Sequence, residues 1–429
     1  MEAHRLRIIA GLALSFLPIV AQAQALREGA ARGVTVANRQ REDFDPIGVR
    51  LGGFRLDAAA ELGLGYDDNL FATRRDRRSD GFGSWGGEAA LQSDWSTHAI
   101  GLTGRVEQRR YFDNDRLDWT DYAIGAFGRY DITPDTSVAA RLSRVQEHLD
   151  VSSVDVQQSE QQLGPRGRPI PFSYNEAQLQ GQTRFNRLGV VLLGNWRGYS
   201  FEDVDLGPAP APGQPKPGDY SRLDFDSALA SLALNYELAP GRFVNLITRY
   251  QDIRYARSEQ SGRDSQTWEV LGGFTYDFDG VWAFRGAVGY RQRDYEGAGI
   301  KNLSGPAFEG EVTWQPTQIT TVSFGARRTI EESVRNNAVS YTRTQGQVRV
   351  DHEYLRNVIL SAELGLDRRD YEDPNEHATD GYGILSARWL INRNLSLVGS
   401  YQHSRRLDSS STIEEYDRNL FLLRLRVAL

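Results

Sequence analysis

Arginines recur at alternate positions opposite apolar side chains, and the chemistry this allows is electrostatic rather than covalent. On segments with clear alternation, one face collects Arg105, Arg109, Arg249, Arg285, Arg291, Arg293, Arg327, Arg349, Arg388, Arg424 and Arg426. The same face carries Glu107, Glu269, Asp277, Asp351, Glu353, Glu363 and Asp367. An unpaired set of this kind would give a local positive field that draws anions such as acidic saccharides. A set paired between neighbouring segments would instead solvate and stiffen a wall, and a chain net charge of -7 favours pairing.

Other chemistry finds little support. The chain has no cysteine, which excludes disulfides, thiolate metal sites and cysteine nucleophiles. His98, His352 and His403 fall at a turn or on the apolar face, and His148 and His377 stand near segment ends without a nucleophile or acid-base motif beside them. The expectation is no catalysis, no cofactor and no metal. Gly81-Phe82-Gly83-Ser84-Trp85-Gly86 has the spacing of a dinucleotide loop, but no helix follows it. The stretch 373–380 is rich in oxygen ligands but lacks the spacing and central glycine of a calcium loop. The basic run Thr73-Arg74-Arg75-Asp76-Arg77-Arg78-Ser79 reads as a solvated loop, with lipopolysaccharide phosphate as the alternative contact. The mild acidity argues against nucleic acid.

The elements that hold these arginines are strands. At the C-terminus Phe421, Leu423, Leu425, Val427 and Leu429 share one face while Arg424 and Arg426 lie on the other, and this period of two runs to the last residue. Trp282, Phe284, Val288 and Tyr290 oppose Arg285, Arg291 and Arg293; Leu360, Ala362, Leu364 and Leu366 oppose Ser361, Glu363, Asp367 and Arg369. The stretches 121–132 and 138–148 give no clear faces. With 40% hydrophobic residues and a mean hydropathy of -0.51, the chain after residue 25 has no run apolar enough for a membrane helix. A barrel needs only every second residue apolar, and 10% aromatics and 42 glycines suit one.

From Phe54 onward, eight short turns alternate with nine longer polar connections, which gives eighteen strands. The turns hold Pro, Gly, Asn or Asp, as at Ala239-Pro240-Gly241 and Asn392-Arg393-Asn394. Short turns on one rim and long loops on the other predict an all-β, antiparallel up-and-down barrel of the outer-membrane kind. Such a barrel is too wide for side chains to fill, so it encloses a lumen unless a segment enters it. The Pro-rich loop 207–218 is the candidate for projecting outward or folding in as a constriction. Ahead of the barrel, Arg5 and Arg7, the apolar run 8–20 and two overlapping Ala-Gln-Ala motifs form a secretory leader. The expected organisation is leader 1–25, a polar periplasmic segment 26–52 that borders or threads the lumen, and the barrel 53–429.

The stretch Gly65-Tyr66-Asp67-Asp68-Asn69-Leu70-Phe71, followed by Thr73 and Ser79-Asp80, resembles the putative beta-barrel porin type 2 family of Gram-negative outer-membrane proteins. The resemblance continues at 43–54, Ser93-Asp94-Trp95-Ser96-Thr97-His98, Gly128-Arg129-Tyr130-Asp131-Ile132-Thr133 and Trp314-Gln315-Pro316-Thr317. It implies an outer-membrane porin-like channel, in contact with membrane lipid and lipopolysaccharide. Some family members are linked to exopolysaccharide or capsule export, so it also implies a polysaccharide conduit with periplasmic export partners; a passive porin for small, anionic solutes is the alternative. It assigns no catalytic residue.

Overall fold

Strand alternation closes on itself in the computed structural model, which describes residues 34–161, 167–205, 218–277, 280–335 and 337–429. The leader 1–25, Asp279 of one turn and 207–217 of the Pro-rich loop lie outside the described residues. In chain order the elements are β1 (Val49–Leu51), β2 (Phe54–Asp67), β3 (Asp80–Ser93), β4 (Ala99–Tyr111), β5 (Trp119–Thr133) and β6 (Thr136–Leu149). A helix, α1 (Val154–Gln161), precedes β7 (Ile170–Phe185), β8 (Leu188–Phe201), β9 (Phe225–Ala239), β10 (Arg242–Tyr255), β11 (Ser265–Asp277) and β12 (Trp282–Tyr295). There follow β13 (Leu303–Thr317), β14 (Thr320–Glu332), β15 (Ser340–Leu355), β16 (Val358–Tyr371), β17 (Glu376–Leu390), β18 (Leu395–Ser409) and β19 (Asp417–Ala428). Consecutive strands pair antiparallel, and β19 returns to β2 in a register from Leu420↔Asp67 to Ala428↔Ala59, so β2–β19 form a closed 18-strand barrel.

The outer surface is the apolar face. Leu64 is 68% exposed, Val288 69% and Leu364 69%, while inward neighbours such as Asp67, Arg293 and Asp367 are buried. A protein in water would not leave a continuous belt of such side chains bare; a bilayer covers it. Aromatic pairs mark its rims, with Trp282 stacked on Trp314 at 5.2 Å near the short turns and Tyr250 against Trp268 at 4.5 Å toward the long loops. The ambiguous strands now have faces: Ile124, Val138 and Leu142 point outward, and Ser143 inward to Glu176.

Short turns reverse the chain where the backbone tolerates positive φ, at Asn186 (φ 53°) and Gly241 (φ 72°). Elsewhere glycine serves a neighbouring ring: a Cβ on Gly65 would sit 2.2 Å from the Phe82 ring, and one on Gly365 2.2 Å from that of Tyr382. At the short-turn mouth, the segment before β1 lies against the inner wall. Val36 is fully buried with its N–H donating to Thr321 Oγ1 at 2.9 Å, and Arg41 reaches Glu353 at 2.8 Å.

The belt generates a test. Leu364→Arg places a charge in hydrocarbon and lowers the unfolding free energy by about 2–4 kcal/mol in urea titrations on phosphatidylcholine vesicles. Glu107→Gln, on the inner face, shifts the midpoint far less.

Candidate functional site

The lumen is crossed by the connection between β6 and β7, not by a part of the Pro-rich loop that the structure describes. The Asp150 carboxylate accepts from the backbone N–H and hydroxyl of Ser152 at 2.8 and 2.7 Å, and Gln157 N donates to Ser153 O at 2.9 Å. This Asx-type turn starts α1 and points it inward. Leu149, Val151, Val154 and Val156 are each 5% exposed or less. Leu149 and Val156 join an aromatic cluster with Phe172, Tyr199, Phe201, Phe225 and Tyr255 from β7–β10. Val151 packs with Leu70, Phe82, Tyr111 and Leu420 on the β2–β4 and β19 side. Val154 meets Tyr341, Tyr371 and Ile413 on the β15–β19 side. One short segment therefore touches three sectors of the wall. Beside it a cavity of about 20 Å³ remains, bordered by Asp150, Ser153, Arg369 and Tyr416.

Ordering the roughly thirteen residues of the segment costs more than burying four aliphatic side chains returns, so its polar anchors decide whether it stays. Asp150 pairs with Arg418 at 2.9 Å. Asp155 accepts from Ser333 Oγ at 2.7 Å and Tyr371 Oη at 3.2 Å. Gln157 donates to Ala72 O at 2.8 Å and accepts from Arg406, which also donates to Ser152 O at 3.0 Å and Asp380 at 2.8 Å.

A second segment, from the end of β14 into Ser333–Arg335, also turns inward. Val334 enters the aromatic cluster, and Arg263 donates to the carbonyls of Ser333, Arg335 and Ala338 at 3.1, 3.2 and 3.2 Å. Glu331 is held by Arg343 at 3.1 Å and Glu332 by Arg293 and by Tyr255 Oη at 2.7 Å.

The family motif lies where this assembly meets the barrel seam. Asp67, fully buried, accepts from Arg418 Nε at 2.9 Å and Nη2 at 2.5 Å, and Arg418 is the residue that holds Asp150. Asp68 accepts from Asn419 N at 2.6 Å and Nδ2 at 2.7 Å, and Asn69 Nδ2 donates to Asp417 O at 2.7 Å. Phe71 carries the Arg116 guanidinium at 4.7 Å, and Tyr66 points outward. In the basic loop, Arg77 makes a two-pronged contact with Asp417 at 2.7 and 2.8 Å.

The arginine face is a mixed-sign wall. Arg105 meets Glu147 at 3.3 Å; Arg249 meets Glu269 at 2.6 Å and Glu309 at 3.0 Å; Arg291 also pairs with Glu269. Arg349 meets Asp351 at 2.8 Å and Glu363 at 3.3 Å. Arg424 meets Glu61 at 3.2 Å, and Arg426 meets Glu61 at 2.6 Å and Glu88. Asp367 is held by Arg343 and by Arg369 at 3.1 Å. Arg109 lies over the rings of Phe82 (4.2 Å) and Trp119 (5.1 Å), and Arg327 donates to Gln345 at 3.1 Å. Arg285 stands opposite Glu311, Glu107 opposite Asp121 and Asp277 opposite Ala283, at the end of β11. Arg388 lies within the electrostatic reach of Glu61, Arg424, Arg426 and Arg349. Most of these arginines are thus paired, with Glu61, Glu88, Glu147 and Glu309 adding to the carboxylates named from the sequence. Among the described residues, no group of three or more His, Cys, Asp or Glu is placed to hold a metal ion. His148 is tied to Asp121 at 2.9 Å and stacked on Trp119.

Two anchors of the crossing segment titrate in opposite senses. Burial pushes the Asp155 carboxyl up, outweighing Ser333, Arg369, Arg335 and Tyr371, which lower it. Burial also acts on Asp150, but Arg418, the two Ser152 hydrogen bonds and His148 overcome it and hold that carboxyl well below the usual range. The contribution of Asp155 to docking is full below the ordinary carboxylate pKa and lost as pH rises through its raised value. That of Asp150 is present above the ordinary value and lost only in strong acid. Mild acidification therefore tightens docking. Single-channel current should fall in the natural sequence as the pH is lowered from alkaline toward the ordinary carboxylate range, and in Asp155→Asn it should be low throughout.

A family model described as putative beta-barrel porin 2 matches residues 42–429. No curated protein matches the chain. Among solved structures, Pseudomonas aeruginosa OccK2 (OpdF), crystallised with glucuronate, is 13% identical with a TM-score of 0.47, covering 87% of this chain and 98% of that one. OpdK with vanillate, from the same organism, is 12% identical with a TM-score of 0.46, covering 87% and 99%. OpdO, also from that organism, is 15% identical with a TM-score of 0.46, covering 87% and 97%. With its barrel closed at the β2–β19 seam by the Asp67-Asp68-Asn69 motif, the chain belongs to the putative beta-barrel porin 2 family, as a porin-like barrel of the outer membrane.

Proposed function

We propose that this porin is a narrow diffusion pathway for small hydrophilic solutes, gated by the segment that joins β6 to β7, and that it works without catalysis or cofactor after its leader is removed. The observation that carries this reading is the burial of Leu149, Val151, Val154 and Val156 against three sectors of the wall. A solute that passes must skirt or displace that segment, which sets a size limit. The wall presents alternating guanidinium and carboxylate groups, such as Arg349 between Asp351 and Glu363, so hydrated polar molecules of either sign find partners along it. The conduit for exported polysaccharide, implied by the family resemblance, would need the whole assembly of 149–161 and 333–335 to leave the lumen before a polymer could thread it. Membrane lipid is the partner of the outer belt. Lipopolysaccharide has a further point of contact in the loop arginines Arg74 and Arg77, although these already face Glu415 and Asp417.

The test is conductance in planar bilayers, comparing the natural sequence with a variant in which 150–161 is replaced by a short Gly-Ser linker. The natural barrel should show small, intermittent currents and the variant steady currents several-fold larger. Equal, large currents from both would defeat the gate. Passage of a long acidic polysaccharide into liposomes bearing the natural barrel would replace the small-solute reading with the conduit.

A further inference from the structure

The barrel wall has an interruption. The ladder between β13 and β14 ends at Phe308↔Arg328, so 303–307 and 329–332 have no backbone pairs with each other among the described residues. Each stretch is paired only on its other side, 303–307 with β12 and 329–332 with β15. The β5–β6 ladder also stops short, at Tyr122↔Gln146, whereas Tyr111 N is capped by Asp118 at 2.8 Å and Asn419 is stitched to Asp68. Here the end of β14 is drawn into the lumen, because Glu332 is bound to Arg293 and Tyr255 and Val334 packs among the aromatics. Pro306, on the abandoned edge, brings no N–H, and a Cβ added at Gly305 would meet nothing within 4 Å.

The gap opens at a defined level and onto a defined chemistry. Pro306 is exposed and lies directly across from Tyr290, two residue pairs from the exposed Trp268, in the aromatic rim near the long loops. Open backbone groups are tolerated there because head groups and water reach them, whereas in mid-hydrocarbon each would cost several kcal/mol. Behind the gap is a cavity of about 50 Å³, several times the ~10–15 Å³ that one water needs. Five arginines and three glutamates line it, together with Leu229, Leu271, Phe308 and Ile330. Arg291 bridges the gap from inside, donating to the Arg328 carbonyl at 3.3 Å.

We propose that this interruption is a side port, through which an amphiphile with an anionic head and a single apolar chain passes between the outer leaflet and the lumen. The head enters the cavity beside Arg291 and Arg327, and the chain leaves between Pro306 and Ile330 into lipid. The cavity has room for a carboxylate or phosphate head. The net excess of arginine selects anionic over neutral amphiphiles.

The probe is dodecanoate with a diazirine at the tail end, applied to the full-length barrel in phosphatidylcholine nanodiscs, with labelled peptides mapped by mass spectrometry. Label should concentrate in 303–308 and 328–332, and Arg327→Gln or Gly305→Trp should each reduce it about tenfold. The matching diazirine dodecanol should show no such concentration. Label spread evenly around the apolar belt, or concentrated but indifferent to both substitutions, overturns the port. Gly305→Trp leaves the ionic currents in planar bilayers unchanged, which separates failure of the port from failure of the pore.

Discussion

Every backbone N–H and C=O that meets hydrocarbon must be hydrogen-bonded within the protein, and for a strand this means a partner on each side. The pairing of β19 with β2 meets that demand for the whole chain, since without it two edges of nine or more residues would stand open to lipid. Closure in turn dictates the alternation: outward positions become Leu, Val, Phe and Trp, and inward positions are free to be charged. It also explains where the family motif is spent. Asp67, Asp68 and Asn69 sit at the long-loop end of the seam and tie Arg418, Asn419 and Asp417 to β2, where the ladder would otherwise fray.

Inside the barrel the charged groups work mainly as pairs. Arg343 between Glu331 and Asp367 is buried, as is Arg418 on Asp67, and truncating one member of such a pair strands its partner at about 3–5 kcal/mol. That penalty fixes geometry more than it adds stability, because a well-packed apolar substitute for the whole set would serve equally for folding. The pairs position the two inward segments, for which apolar burial alone does not offset the cost of ordering.

The barrel was legible because its signal is local and repeated. The last strand shows Phe421, Leu423, Leu425 and Val427 against Arg424 and Arg426, and a one-residue slip would put arginine into lipid. The crossing segment was not legible, since 149–171 reads as polar on average, and its four apolar residues, spaced 149, 151, 154 and 156, follow neither strand nor helix period. The aromatic cluster was hidden for a related reason: Phe172, Tyr199, Phe201 and Phe225 face inward on strands that also carry apolar residues outward, which erases alternation. The pairing favoured by the net charge was legible only in part, because the partners Glu61, Glu88 and Glu147 come from positions with weak patterns. The first-loop arginines gave no hint of Asp417, some 340 residues away in sequence.

The same seam that closes the barrel also holds the segment across it, and the two roles are separable. Arg418 keeps both contacts to Asp67 whether or not Asp150 is beside it, so undocking the segment returns Asp150 to water without leaving a buried charge unpaired. Arg406 likewise retains Asp380 when Gln157 and Ser152 withdraw. The wall is therefore over-determined relative to the segment it carries. A structure arranged in this way can open its lumen at the cost of local contacts alone, while the ladder that keeps lipid out remains intact.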